Sequence, residues 1–159
     1  MNWQEVCADT NLQNLPYKIE TNQWGQIVMT PSKAKHGALQ FRIGVLLLEF
    51  VRRGGEVVTE CAVKTSAGTK VADVAWISTT RWEQVKDELD VSIAPEICVE
   101  VLSPGNSTEE MELKRNLYFA AGAEEVWICT EDGTIRFYDA TGELADSARA
   151  PNFPTKVTV

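Results

Sequence analysis

Apolar and polar positions alternate with two periods along the chain, and the switches between them mark its elements. Asn2 to Leu12 reads as a short helix that ends before Pro16. Tyr17 to Glu20 and Gln26 to Met29 alternate as strands and form a hairpin around Asn22-Gln23-Trp24-Gly25. Thr30-Pro31-Ser32 then offers a helix start with Ser32 as N-cap. Behind it, Ala34, Ala38, Phe41, Val45 and Leu48 recur at helical spacing, and Leu39, Ile43, Leu46 and Phe50 broaden the stripe. This predicts a long, well-buried helix closed by Arg52-Arg53-Gly54-Gly55.

Glu56 to Thr65 alternates with Val57, Thr59, Cys61 and Val63 on one face, and a turn at Ser66-Ala67-Gly68 returns the chain along Lys70 to Ser78. Thr79 to Ser92 is polar, a loop or surface helix, whereas Glu96 to Leu102 is a nearly continuous apolar strand. Ser107 or Thr108 caps a helix running to Ala121, which Gly122 closes. Glu125 to Thr130 and Thr134 to Tyr138 form a hairpin around Glu131-Asp132-Gly133, and Lys156 to Val159 offers one more edge strand. The expected fold class is α/β: a mixed β-sheet flanked by helices, with an N-terminal β-hairpin, in one domain spanning residues 1–159.

Composition narrows the function. Fifteen basic against 23 acidic residues leave a net charge of −8, which argues against a general nucleic-acid binder with a basic face. The four cysteines stand singly, with no C-x-x-C pair and only His36 to complete a mixed site, so structural zinc is not expected. Cys61, Cys98 and Cys129 fall in apolar runs and read as buried small hydrophobes in a reducing compartment. The apolar runs, such as Val45 to Leu48, are far below the ~20 residues of a bilayer span, and Asn2-Trp3-Gln4-Glu5 forms no basic leader. A cytoplasmic protein without membrane association is expected.

The candidate chemistry lies where a residue violates its own period. Asp73 shares a strand face with Val71, Ala75 and Ile77, and Glu100 shares one with Cys98 and Leu102. Unpaired carboxylates in such rows cost several kcal/mol. Two of them on neighbouring strands call for a cation between them: Mg²⁺ or Mn²⁺ held by Asp73 and Glu100, or a local lysine or arginine for each. Lys114 falls in register with Leu117, Tyr118 and Ala121, the sheet-facing side of its helix. It reads either as a lysine that holds attacking water or as the i+4 partner of Glu110. Glu60 could reach the metal as a third acid or be satisfied by Lys64. His36 could contact a phosphate or simply pack at the start of its helix.

The segments V-A-D-V-A-W at 71–76 and A-P-E-I-C-V-E-V-L-S-P at 94–104 resemble the PD-(D/E)XK nuclease superfamily. More closely, they resemble a large bacterial restriction-endonuclease-like family formerly called a domain of unknown function. Glu110, Lys114, Tyr118, Gly122, Val126, Trp127 and Ile128 continue that family's pattern without a gap, and T-P-S-K-A-K-H-G at 30–37 matches the entry to its first long helix. The resemblance implies a restriction-endonuclease-like fold and a Mg²⁺- or Mn²⁺-dependent endonuclease acting on DNA. It implies Asp73 and Glu100 as metal-binding acids and Lys114 as the catalytic lysine. Leu102 stands where the superfamily usually has its lysine, Ala72 replaces the proline before Asp73, and Glu110 replaces an aspartate. A homodimer presenting the Lys33, Lys35 and Lys114 side would let an acidic protein approach DNA. The alternative is a nuclease-fold binding module with little or no catalysis, or a hydrolase of another phosphoester.

Overall fold

The computed structural model describes residues 1–159. In chain order the elements are α1 (Trp3–Ala8), β1 (Tyr17–Thr21), β2 (Ile27–Pro31), α2 (Ala34–Phe50), β3 (Gly55–Thr65), β4 (Gly68–Ser78), α3 (Thr79–Val85), β5 (Ile97–Val101), α4 (Thr108–Ala120), β6 (Glu125–Cys129), β7 (Ile135–Asp139) and β8 (Gly142–Leu144). The strands β3 to β8 make a six-stranded sheet in sequence order, and β1–β2 make a separate hairpin. Only β5 and β6 run parallel, because α4 crosses over between them; every other neighbour is antiparallel. This is the mixed, helix-flanked sheet with an N-terminal hairpin that the sequence predicts.

Apolar side chains bury on both faces of the sheet. One core joins Leu39, Ile43 and Leu47 of α2 to Trp127, Phe137 and Phe153, whose rings meet edge-on or tilted. The other joins Ala75, Ile77, Cys98 and Val126 to Met111 and Tyr118 of α4. Sequence pattern and structure agree at α4, where the Ser107 side chain accepts from Glu110 N and Gly122 takes a positive φ of 113°.

The long helix departs from its prediction. Its N-cap is Lys33, not Ser32, and it ends at Phe50, so Arg52 and Arg53 lie beyond the last turn. Its buried residues are Leu39, Ile43, Gly44 and Leu47, whereas Phe41 and Leu48 are 71% and 66% exposed. Two apolar stripes satisfy the helical period, and the one against the sheet is interrupted by the polar pair His36 and Gln40. Gly44 lets the helix lie close, since a Cβ there would already touch Val57 and Val74.

Near the C-terminus, β8 is an additional short edge strand, while the 156–159 segment makes only an isolated bridge from Lys156 to Thr134. That contact needs a glycine at 133: φ is 90°, and a Cβ would sit 2.0 Å from the Val157 carbonyl oxygen.

Candidate active site

The site grows out of a fork in the sheet. Strands β4 and β5 pair only from Val74–Val99 to Trp76–Ile97, and Asp73 stands at the first position beyond that pairing. Its Oδ2 accepts from Val101 N at 2.7 Å, closing the fork with a side chain where backbone pairing has ended. On the other side of Asp73, the β3–β4 register skips one pair between Thr59–Val74 and Cys61–Ala72. There Glu60 takes a left-handed φ of 52°, a strained conformation for a residue with a Cβ. Gln40 Nε2 bridges the break, donating to the Asp73 carbonyl at 2.9 Å and to Glu60 Oε1 at 2.8 Å.

Five charged side chains alternate in sign through the buried space below. Lys18 Nζ lies 3.0 Å from Asp73 Oδ1 and 3.0 Å from Glu100 Oε2. Lys114 Nζ lies 3.2 Å from Glu100 Oε1 and 2.8 Å from Glu20 Oε1. Tyr118 donates to Glu100 Oε1 at 2.6 Å, and Glu20 Oε1 accepts from Val71 N at 2.7 Å. His36 Nε2 sits 3.4 Å from Asp73 Oδ2 and 3.1 Å from the Val101 carbonyl oxygen. A cavity of about 20 Å³, enough for one water-sized group, is lined by Lys18, His36, Glu100 and Lys114, with Glu110 at its edge.

The electrostatics follow from burial and these partners. Burial opposes the charge on Asp73, but Lys18 and then His36 outweigh it and hold its carboxyl below the usual range. At Glu100 burial wins over Lys114 and Lys18, and the carboxyl is pushed up. Burial likewise opposes the charge on Lys18, but Glu100 and Asp73 raise its affinity for the proton above that of an ordinary lysine. The hydrogen bond to Asp73 raises His36.

Asp73, Glu100 and Lys114 therefore come together, and His36 joins them through Asp73. Glu60 is exposed and reaches the group only through Gln40, so it does not share a cation position with Asp73 and Glu100. Glu110 is exposed and accepts long hydrogen bonds from Asn106 Nδ2 at 3.3 and 3.4 Å, while Lys114 pairs with Glu20 and Glu100 instead. Pattern reading misses Lys18, Glu20, Gln40 and the polar role of Tyr118. Lys18 and Glu20 sit at alternate positions of an outer hairpin, a pattern identical to that of a solvated strand.

Asp73 and Glu100 converge on one point where a cation, the Lys18 ammonium, already sits. Hard carboxylate oxygens around a single positive charge fit Mg²⁺ or Mn²⁺, ions that bind through one or two carboxylates and keep several waters. No group of three or more His, Cys, Asp or Glu side chains is placed to hold a metal ion, so Asp73 and Glu100 would be its two protein ligands.

The family described as "Uma2: Putative restriction endonuclease" matches residues 7–153. The chain belongs to this family. The Uma2 fold is also similar to a crystal structure from Anabaena variabilis, described as a putative nuclease belonging to DUF820. The two share 18% identity over 87% of this chain and 79% of that one, with a TM-score of 0.68, a likeness that shows the fold. No curated protein matches the chain. No helix is long and apolar enough to cross a membrane.

Proposed function

We propose that this Uma2 protein is a metal-dependent endonuclease hydrolysing phosphodiester bonds of DNA. The observation that carries the reading is the convergence of Asp73 and Glu100 on one cation position, with Lys114 on the same Glu100 carboxylate. Asp73 and Glu100 would hold Mg²⁺ or Mn²⁺; bound there, the ion supplies positive charge to the scissile phosphate and acidifies water. Lys114 donates from the opposite side of Glu100 into the small cavity, where its ammonium orients water and meets developing negative charge. Tyr118 and Glu20 fix Glu100 and Lys114 in place. A cleft of about 310 Å³, lined by Lys33, Lys35, His36 and Ser103, opens beside the fork and offers cations to a phosphate backbone. Glu131 and Asp132 form its other rim, so the field is mixed rather than uniformly basic. Lys114 is buried, which leaves Lys33 and Lys35 as the cations a homodimer could present jointly to DNA.

Supercoiled plasmid and single-stranded DNA, each with Mg²⁺, Mn²⁺ or EDTA, test the reading. Nicking with either metal and none in EDTA is expected. Asp73→Asn should abolish it, and Lys114→Met should lower turnover about 10²–10⁴-fold in a protein that still binds metal. The second reading, a binding module on the nuclease fold, is favoured by one feature: every buried side-chain nitrogen and oxygen already has a partner within the protein. Metal binding without cleavage of duplex, single-stranded or RNA substrates would decide for it.

A further inference from the structure

We infer that Lys18 is an intramolecular competitor for the cation position between Asp73 and Glu100, and that a divalent ion loads only when the Lys18 ammonium swings out. This deepens the metal-dependent reading above and rests on it. The ammonium touches both carboxylates at 3.0 Å, the place an ion shared by them must take.

Charge makes the two occupants exclusive. With His36 neutral, three carboxylates (Glu20, Asp73, Glu100) and two ammoniums (Lys18, Lys114) leave the buried cluster with a single negative charge. A divalent ion added beside Lys18 would turn that into a net positive charge in a space of low polarity. With Lys18 withdrawn, the same ion leaves the cluster neutral.

Lys18 also has somewhere to go. Its strand belongs to a hairpin outside the six-stranded sheet, and its side chain is 12% exposed. It lines an open cleft of about 480 Å³ between Tyr17, Pro31, His36 and Glu60, which gives its flexible four-carbon stem room outside the cluster. Glu20 and Thr21 meanwhile stay anchored to Val71 N and Thr69 N. Lys114 has no such freedom: it lies deeper, between Glu20 and Glu100.

Mn²⁺ binding by calorimetry and thermal unfolding, both on the full chain, test this without reference to activity. Lys18→Met should bind Mn²⁺ at least tenfold more tightly than the unsubstituted protein. Its melting point, lowered in EDTA by the uncompensated carboxylates, should recover with Mn²⁺, whereas that of the unsubstituted protein barely moves. Lys18→Arg keeps a cation in place and should remain a weak binder. Adding Asp73→Asn to Lys18→Met should remove the gain. If Lys18→Met does not fold in EDTA, folding on addition of Mn²⁺ supports the inference; if it folds in neither, Lys18→Gln carries the same comparison. Equal affinity with and without Lys18, both abolished by Asp73→Asn, overturns the competition and leaves the metal site standing. No Mn²⁺ binding by any folded variant overturns both.

Discussion

Among the buried acids, Glu100 stands apart in how it is satisfied. Glu20, Asp73, Glu96 and Glu125 each accept at least one backbone N–H, from Val71, Val101, Ser78, and Ala148 with Arg149 respectively. Glu100 depends on side chains alone: Lys18, Lys114 and Tyr118. Tyr118→Phe should therefore cost about 1.5–3 kcal/mol in urea unfolding, the scale of a buried hydrogen bond to a charged group. Asp73 responds to pH with the opposite sign from Glu100. Its folded pKa lies below its unfolded value near ~3.9, so its stabilisation is complete above that pH and is lost as pH falls through the folded pKa. Asp73→Asn should cost about 3–5 kcal/mol at neutral pH, a deficit that narrows in acid below about pH 4, readable from urea midpoints at each pH. The two acids are legible in the sequence because each interrupts an apolar strand. Their basic partner Lys18 is not, because charge at alternate positions of Tyr17 to Thr21 looks the same whether that face meets water or Asp73.

At the scale of elements, α2 shows how a functional face disguises itself. The periodic stripe through Phe41, Val45 and Leu48 contains no polar residue, yet it faces out; the inner stripe carries His36 and Gln40, which serve Asp73. Leu47→Ala should cost about 2–5 kcal/mol in denaturant unfolding, while Leu48→Ala should stay within about 0.5 kcal/mol. Equal effects would mean that the exposed stripe is covered by another surface. Hairpin turns and the α4 caps are legible because Gly, Asn and Ser act locally, through φ and side-chain hydrogen bonds. The edges are not: β8 has three residues and a weak pattern, and the 156–159 segment is held by the Gly133 turn rather than by a ladder. The 147–149 stretch ahead of it is pinned instead by Glu125, which accepts from Ser147 Oγ and the Ala148 and Arg149 N–H groups, and also from Trp127 Nε1. That acid is buried for a structural reason, so a carboxylate in an apolar strand marks a site only when its partners are other charges.

For the whole molecule, the question is how a chain of net charge −8 would hold a polyanion. The six-stranded sheet places its fork next to the cleft where Lys33, Lys35 and His36 line up, but the same cleft carries Glu131 and Asp132, and Lys33 already lies 4.0 Å from Glu131. Lys18 and Lys114 are engaged by carboxylates and release no counterions from DNA. Each phosphate neutralised contributes about −0.9 to the slope of log affinity against log salt, so the two cleft lysines imply at most about −2 per protomer, and a homodimer presenting both clefts about −4. Anisotropy titrations of a labelled duplex between about 50 and 300 mM salt, with cleavage suppressed by Asp73→Asn, read that slope directly. A protomer slope near −2 that doubles with dimerisation agrees with binding through the cleft. Lys33→Ala with Lys35→Ala should then flatten it towards zero while leaving Mn²⁺ affinity unchanged, because neither lysine touches Asp73 or Glu100. A slope steeper than about −6 that survives those two substitutions would move the DNA surface away from the fork, and with it the case for cleavage at Asp73 and Glu100.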